Sequence, residues 1–184
     1  MIVLGSTSEA AQAFVEKALQ EGEKFEKIYL FTSNKETTER FARHIDVKFL
    51  QQAEVIELDL TKEIDYNRFD NINSNVLFCA VGYLGEGTEE GLYDNRNTER
   101  IIDINYSKLV PVMNYFAHKF ESRRSGTIIG LSSVAGDRGR QSNFIYGSAK
   151  AAFTAYLSGL RNYLFDKKVH VLTIKPGFMA TKMT

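Results

Sequence analysis

Short apolar runs alternate with longer stretches of helical character along almost the whole chain, and this alternation is the feature that most constrains the fold. The apolar runs lie at residues 2–4, 28–31, 55–58, 76–81, 127–131 and 169–174. The stretches between them, at about 10–20, 36–44, 89–105, 106–124 and 144–165, read as helices. Strands that alternate with helices form right-handed βαβ units around a parallel sheet. The pattern therefore predicts an α/β fold, a doubly wound parallel sheet covered by helices on both faces in three layers.

Length and charge narrow the possibilities further. The 184 residues contain two prolines, Pro111 and Pro176, and no Pro-, Gly- or Ser-rich linker, so we expect a single domain over residues 1–184. Lys and Arg total 23, and Asp and Glu total 23, which argues against a strongly basic nucleic-acid-binding protein. No apolar run reaches the roughly 18 residues of a spanning helix, and no basic segment precedes the first apolar run. We therefore expect neither a membrane span nor a signal peptide.

The cysteine and histidine content favours no disulfide and no metal site. Cys79 is the single cysteine of the sequence and has no partner for an intrachain disulfide, which fits a reducing compartment and a cytoplasmic location. The three histidines, His44, His118 and His170, lie far apart in the sequence. This scatter does not indicate a metal centre.

Ligands of doubly wound sheets bind outside the carboxyl ends of the strands, so the residues that follow each strand are the candidates for function. The first strand is followed by Gly5-Ser6-Thr7-Ser8-Glu9-Ala10-Ala11. A tight turn from a strand into a helix presents backbone N–H groups and a positive dipole to a phosphate. A full dinucleotide fingerprint has three glycines and this segment has Gly5 alone. It therefore also fits an ordinary turn with Ser8 as the helix N-cap.

The strongest chemical signal lies around the fifth strand and the helix after it. Ser133 follows that strand, and Tyr146 and Lys150 lie four residues apart, one turn of helix on the same face. A free tyrosine has a pKa near 10, and a neighbouring ammonium would lower it. Ser133 could then bind a carbonyl oxygen while Tyr146 gives or takes its proton. A Tyr–Lys pair at this spacing is also common on solvated helices, and its place after a serine-bearing strand end favours the catalytic interpretation.

Three more segments follow predicted strands, Asp59-Leu60-Thr61, Cys79-Ala80-Val81-Gly82 and Pro176-Gly177-Phe178-Met179-Ala180-Thr181, and a fourth, Ile104-Asn105-Tyr106, lies in the predicted helical region. With residues 5–11 and the Ser133, Tyr146 and Lys150 group, they resemble in order the motifs of the short-chain dehydrogenase/reductases, over essentially the whole chain. The resemblance implies a Rossmann fold and an oxidoreductase that transfers hydride between NAD or NADP and a carbonyl or alcohol. It also implies a homodimer or homotetramer.

The resemblance assigns roles to individual residues. It implies a catalytic set of Asn105, Ser133, Tyr146 and Lys150, in which Asn105 holds a water and Lys150 also binds the nicotinamide ribose. It implies that Asp59 lies near adenine and that residues 176–181 hold the nicotinamide amide. The implied cofactor-binding residues are Gly5, Thr7, Ser8, Glu9, Thr32, Ser33, Asp59, Leu60, Ala80, Val81, Gly82, Tyr146, Lys150, Pro176, Gly177, Met179 and Thr181.

The sequence departs from the family pattern in several places. Glu9 and Ala11 replace the second and third loop glycines, and Cys79 replaces an asparagine. A carboxylate near a pyrophosphate is repulsive, so we expect Glu9 to turn outward or to cap a helix. The chain ends at Thr184, just after the sixth strand. Family members are longer, so we expect the C-terminal part of the fold to be absent from this chain, as in an incomplete or truncated protein.

The residues after the second strand bear on the choice of cofactor. An acidic residue there would bind the ribose hydroxyls and repel a 2′-phosphate. The segment reads Thr32, Ser33, Asn34 and Lys35, with no carboxylate. This favours NADP over NAD, while the same residues also fit a simple turn into the next helix.

A narrower resemblance concerns the substrate. Residues 81–85, 132–140 and 143–147, together with Glu9, resemble the subgroup that contains the decaprenylphosphoryl-ribose keto-reductase subunit, which implies a keto-sugar substrate. Arg138 and Arg140 lie beside the catalytic strand end. They fit either contacts to a phosphate-bearing substrate or surface charges paired with Asp137.

Two functions remain open at this stage. The first is an active NADP(H)- or NAD(H)-dependent carbonyl reductase or alcohol dehydrogenase. The second is a non-catalytic relative that senses a nucleotide or binds a partner. Glu9 and the short chain favour the second, whereas the intact set of Asn105, Ser133, Tyr146 and Lys150 favours the first.

Overall fold

Six parallel strands form one sheet in the computed structural model, which describes residues 1–86 and 93–181. The order is β3-β2-β1-β4-β5-β6, so the chain starts in the middle, winds to one edge and then crosses to the other. This is the order of the doubly wound dinucleotide-binding sheets. The strands are β1 Ile2–Leu4, β2 Ile28–Thr32, β3 Ala53–Glu57, β4 Val76–Cys79, β5 Gly126–Leu131 and β6 Val169–Ile174.

Helices cover both faces of the sheet, which confirms the predicted three-layer fold. The helices described are α1 Glu9–Gln20, α2 Lys35–Phe49, α3 Asn95–Ile102, α4 Leu109–Arg123 and α5 Phe144–Leu164. Short 3₁₀ turns occur at Tyr66–Phe69, Val134–Gly136, Gln141–Asn143 and Phe165–Lys167.

Alternation along the central strand divides the core between the two faces. Val3 packs in the cluster that holds the buried residues of α1 and α2, such as Val15 and Ile45. Ile2 and Leu4 point to the opposite cluster, which holds the buried face of α4 and α5. Successive side chains of a strand point to opposite faces. A strand that is apolar throughout therefore lies between two helical layers, as predicted.

Several predicted boundaries differ from the structure. Helix α2 continues past the predicted end at residue 44, because Ile45 is fully buried against the sheet, and it ends where Leu50 adopts a left-handed conformation with φ of 54°. The helix predicted from residue 106 starts at Leu109, since Asp103–Ser107 forms a π-helical turn. The first residues of the helix predicted at 89–105 lie outside the described residues. Within the described parts of the chain, no helix is long and apolar enough to cross a membrane.

Candidate active site

A cavity of about 660 Å³ opens at the carboxyl ends of the strands, at the edge where ligands of such sheets bind. Its walls come from the β1–α1 turn, the loop after β4, the end of β5, the start of α5 and the segment after β6. The predicted site residues on these walls are Thr7, Ser8, Glu9, Ala80, Val81, Gly82, Ser133, Arg140, Tyr146, Lys150, Pro176, Gly177, Met179 and Thr181.

The β1–α1 turn depends on Gly5. Its φ is +82°, and a Cβ atom there would lie 2.9 Å from the Val81 backbone nitrogen. Glycine therefore meets two demands, a left-handed backbone and close approach of the turn to the loop after β4. Ala11, at the position of the third loop glycine, is 1% exposed and packs in the core.

The start of α1 faces the cavity. Ser8 holds the N-cap position, but its side chain makes no capping hydrogen bond. The predicted N-cap position of Ser8 is confirmed, although no first-turn N–H is donated to its hydroxyl. Glu9 is the first residue of α1, is exposed and lines the cavity, and the predicted outward orientation of its carboxylate stays a prediction. Nearby, the Gln12 side chain donates to the Ser6 carbonyl oxygen at 3.1 Å.

Lys150 carries a buried ammonium beneath the cavity. The residue is 2% exposed, and its Nζ donates to the carbonyl oxygens of Val81 at 2.9 Å and Leu131 at 3.3 Å. Burial lowers the pKa of Lys150 to about 8, and the nearby Cys79 opposes this shift. Because carbonyl dipoles replace only part of the lost hydration, the charged form is held at a cost.

Tyr146 and Ser133 meet above Lys150. Burial raises the pKa of Tyr146, and the side-chain hydrogen bond with Ser133 acts in the opposite direction. The Lys150 Nζ lies 5.8 Å from the centroid of the Tyr146 ring. The sequence predicted that Lys150 would lower the pKa of Tyr146, and this is wrong for the structure described here, where desolvation of the phenol dominates.

Close packing fixes the distance between the Ser133 turn and α5. The Ser133 Oγ accepts a hydrogen bond from the Ala135 N–H at 3.1 Å and so starts the short turn Val134–Gly136. A Cβ on Gly147 would lie 2.6 Å from the Ala135 carbonyl oxygen, and a Cβ on Gly136 would lie 2.7 Å from the Ala151 nitrogen. The two glycines let the backbones touch, which brings the serine and the tyrosine into one cluster.

Asn105 lies behind the cavity and not on its wall. It belongs to the π-helical turn and is fully buried. Its Oδ1 accepts from the Tyr83 N–H at 3.2 Å, while its Nδ2 donates to the carbonyl oxygens of Tyr83 at 2.7 Å and Ile101 at 2.8 Å. The side chain therefore holds the loop after β4, and Tyr83 of that loop lines the cavity.

The predicted residues after β2 and β3 do not line the cavity. Thr32 is 2% exposed, and its hydroxyl donates to the Asn34 carbonyl oxygen at 3.0 Å and accepts from the Asn34 N–H at 2.9 Å. A hydroxyl engaged in this way is not presented to a 2′-phosphate, which corrects the prediction for Thr32. Ser33 is exposed.

Asp59 and Leu60 also stabilise their own loop. Asp59 accepts hydrogen bonds from the Thr61 hydroxyl at 2.6 Å and the Thr61 N–H at 2.9 Å, and these bonds lower the pKa of its carboxyl. Leu60 is buried in the core. Their predicted contact with adenine stays a prediction.

Arg138 and Arg140 have different surroundings in the structure. Asp137 pairs with Lys175 at 2.6 Å, so the alternative in which Asp137 neutralises the arginines is wrong. Arg138 is exposed and outside the cavity wall, whereas Arg140 lies on it.

Some wall residues were not predicted from the sequence, among them Gln12, Thr37, Tyr83 and Asn143. Thr37 and Gln12 lie one turn inside their helices, where no strand-end motif points to them. Within residues 1–86 and 93–181, no group of three or more His, Cys, Asp or Glu side chains could hold a metal ion.

Comparison with known proteins gives consistent results. A family model described as short chain dehydrogenase matches residues 1–184. An uncharacterized oxidoreductase of Mycobacterium tuberculosis is 33% identical over 105 residues, which cover 57% of this chain and 42% of that protein. An uncharacterized oxidoreductase of Staphylococcus epidermidis is 26% identical over 190 residues, with 100% of this chain and 79% of that protein covered. This chain thus spans less than half of the first relative and most of the second.

Among solved structures, a short-chain dehydrogenase from Sphingobium yanoikuyae in complex with NADPH superposes with a TM-score of 0.87. The identity is 20%, and the superposition covers 99% of this chain and 72% of that chain. At this identity the likeness concerns the fold, which is the same.

Proposed function

The chain belongs to the short-chain dehydrogenase family, and we propose that it is an NAD(P)(H)-dependent oxidoreductase that interconverts a carbonyl and an alcohol. One observation carries the proposal. Tyr146, Ser133 and Lys150, which are far apart along the chain, converge on one cavity at the carboxyl edge of the sheet. That cavity is the place where a parallel sheet of this order binds its ligand.

The cavity fits a dinucleotide. Its volume of about 660 Å³ falls in the range of roughly 300–1,000 Å³ common for ligand sites. The Gly5 turn is packed so closely on Val81 that a side chain would not fit, and the first turn of α1 has no side-chain cap. Backbone N–H groups there can bind a phosphate. When bound, the nicotinamide supplies or accepts the hydride.

Tyr146 is the proposed proton donor for reduction. Burial raises its pKa, so the phenol is protonated at neutral pH and can give its proton to the carbonyl oxygen as negative charge develops there. Ser133 lies within the same hydrogen-bonded cluster. Its hydroxyl is placed to hold the carbonyl oxygen beside the phenol.

Lys150 is proposed to bind the cofactor and to support proton transfer. Two of its three N–H donors contact the backbone oxygens of Val81 and Leu131. One donor is left for a ribose hydroxyl. With its pKa lowered to about 8, the amine lies closer to neutral pH than an ordinary lysine, which suits a group that exchanges protons during turnover.

NADP is the proposed cofactor, with NAD as the alternative. The structure of the Sphingobium yanoikuyae relative is a complex with NADPH. In this chain, Ser33 and Lys35 are exposed after β2 and the turn holds no carboxylate. The keto-sugar substrate implied by the subgroup resemblance also remains a proposal.

Glu9 supports the second function, a non-catalytic nucleotide-sensing or partner-binding protein. The residue lines the cavity at the start of α1. Negative charge at that position weakens pyrophosphate binding through Coulomb repulsion. The catalytic cluster favours the enzyme, because a sensor has no need of the Tyr146 hydroxyl.

Single-turnover hydride transfer tests the enzyme directly. We would titrate the protein with NADPH and NADH by fluorescence, then screen ketones that include phosphorylated and nucleotide-linked keto-sugars. Tyr146→Phe should bind NADPH like the parent, while its hydride-transfer rate falls by about 10²–10⁴-fold. Tyr163→Phe, at a position that is 62% exposed, is the matched control. A Tyr146→Phe rate within threefold of the parent would remove Tyr146 from the mechanism and leave the sensor.

A further inference from the structure

Three charged side chains lie on the described wall of the cavity, Glu9, Arg140 and Lys150. Glu9 belongs to the phosphate-binding turn, and Lys150 belongs to the catalytic cluster. Arg140 has no part in either. It lies in the segment that leads from β5 into α5, before Tyr146 in the chain.

One nitrogen of the half-buried Arg140 side chain lacks an acceptor. Its Nε is inaccessible to solvent and has no hydrogen-bond partner among residues 1–86 and 93–181, and the same is true of the nearby Asn143 Oδ1. Leaving a buried polar atom unpaired is unfavourable, most of all next to a charge. Both residues also line the cavity, where a bound ligand would lie.

The neighbouring carboxylate does not neutralise the charge of Arg140. Asp137 is three residues away and pairs with Lys175 at 2.6 Å. No ion pair of Arg140 or Arg138 is found among residues 1–86 and 93–181. Arg138 is exposed and off the wall. The two arginines therefore have different surroundings: Arg140 lines the cavity and Arg138 does not.

The local backbone holds Arg140 at a fixed place relative to the catalytic cluster. Its carbonyl oxygen accepts a hydrogen bond from the Asn143 N–H at 3.3 Å, which closes the turn Gln141–Asn143. Helix α5 starts at the next residue and carries Tyr146 in its first turn. The arginine is thus tied to the proposed proton donor through one short turn.

We propose that Arg140, assisted by Asn143, is the specificity residue that binds an anionic substituent, a carboxylate or phosphate, on the carbonyl substrate. This inference rests on the proposed oxidoreductase function. A guanidinium stays charged at all accessible pH values and matches the paired oxygens of either anion. Asn143 lines the same wall, where its amide can hydrogen-bond a polar group of the substrate.

Matched ketones test the charge preference. We would compare kcat/KM for dihydroxyacetone phosphate against dihydroxyacetone, and for acetoacetate against its methyl ester, in the parent, Arg140→Gln, Arg140→Lys and Arg138→Gln. The anionic-to-neutral ratio of the preferred pair should fall about 10- to 100-fold in Arg140→Gln and less in Arg140→Lys. It should stay within twofold in Arg138→Gln. The pair that responds identifies the anion, and an unchanged ratio in both pairs overturns the proposal.

A binding measurement separates this proposal from the oxidoreductase function. Glycerol 3-phosphate and 3-hydroxybutyrate are titrated calorimetrically into each variant, with and without NADPH, so no turnover is required. At least tenfold weaker binding of one anion to Arg140→Gln than to the parent supports the subsite even if no ketone is reduced. Equal affinity in the two proteins, or no binding of either anion to the parent, overturns it. Failure to bind NADPH or to reduce any ketone would count against the oxidoreductase function alone.

Discussion

Lys150→Met should change how the free energy of unfolding depends on pH. The parent buries an ammonium that contacts two backbone oxygens and lies beside Cys79. Burial lowers its pKa to about 8 in the folded protein, from 10.5 for an ordinary lysine. Between these two values the unfolded chain binds more protons than the folded one, so the stability of the parent rises with pH in that window.

The size of the effect follows from the two pKa values. Each unit of pKa difference corresponds to about 1.4 kcal/mol, so the shift of Lys150 from 10.5 to about 8 costs the folded state about 3 kcal/mol at neutral pH. Between pH 7 and pH 9.5 the free energy of unfolding of the parent should rise by about 2 kcal/mol relative to that of Lys150→Met. At pH 7 alone the comparison is uninformative, because methionine also leaves the Val81 and Leu131 oxygens without their donor, at about 1–3 kcal/mol each.

Urea denaturation at several pH values measures the difference. The free energy of unfolding of the parent, Lys150→Met and Lys24→Met would be measured at about pH 7, 8, 9 and 9.5. The series stops at pH 9.5 because the ionisation of ordinary tyrosines interferes near pH 10. Lys24 is exposed, so Lys24→Met should keep the pH dependence of the parent. If the stability difference between the parent and Lys150→Met is the same at all four pH values, the buried ammonium carries no such cost, and the argument for a tuned lysine fails.

Two further predictions concern the cofactor side of the cavity. Gly5→Ala should lower stability by about 2 kcal/mol and weaken NADPH binding, because its Cβ would lie 2.9 Å from the Val81 nitrogen. Gly22→Ala, with φ of +90° and open space around it, is the control for backbone strain. If both variants lose the same stability in urea denaturation, the close contact with Val81 does not contribute to the loss. Ser33→Asp should weaken NADPH binding about tenfold relative to NADH through charge repulsion, and it should leave stability unchanged. Thr32→Asp should chiefly lower stability, since Thr32 is 2% exposed. An unaltered NADPH-to-NADH affinity ratio in Ser33→Asp would show that the turn lies away from the 2′-position.

Much of the fold could be predicted because its signals are local. Each strand is a short apolar run, and the parallel arrangement of the sheet follows from the alternation of strands with helices. Boundaries were less predictable where tertiary packing decides them. Helix α2 continues to Phe49 because Ile45 is buried against the sheet. The turn Asp103–Ser107 is π-helical, with Asn105 tied to Tyr83 across the loop, and no local spacing rule announces such a bond.

The candidate site was predictable as a set of residues and less so as chemistry. Strand-end reasoning located Ser133, Tyr146 and Lys150, which do come together. The direction of the Tyr146 pKa could not be predicted, because it depends on how much of the phenol is desolvated by the completed fold. The separate environments of Arg138 and Arg140 likewise depend on which residue the turn before α5 directs to the cavity.

Groups that are costly to the fold cluster around this one cavity. The segments that form its walls contain a buried ammonium at Lys150, a left-handed and tightly packed Gly5, and an Arg140 Nε that has no partner among the described residues. Proteins keep such local violations mainly where a ligand or a reaction needs them. Each group here lacks something different: Lys150 lacks solvation, the Gly5 turn lacks a side chain, and Arg140 lacks an acceptor. A cofactor and an anionic carbonyl substrate would together supply what is missing, which is why the three groups are better understood as one binding site than as three defects.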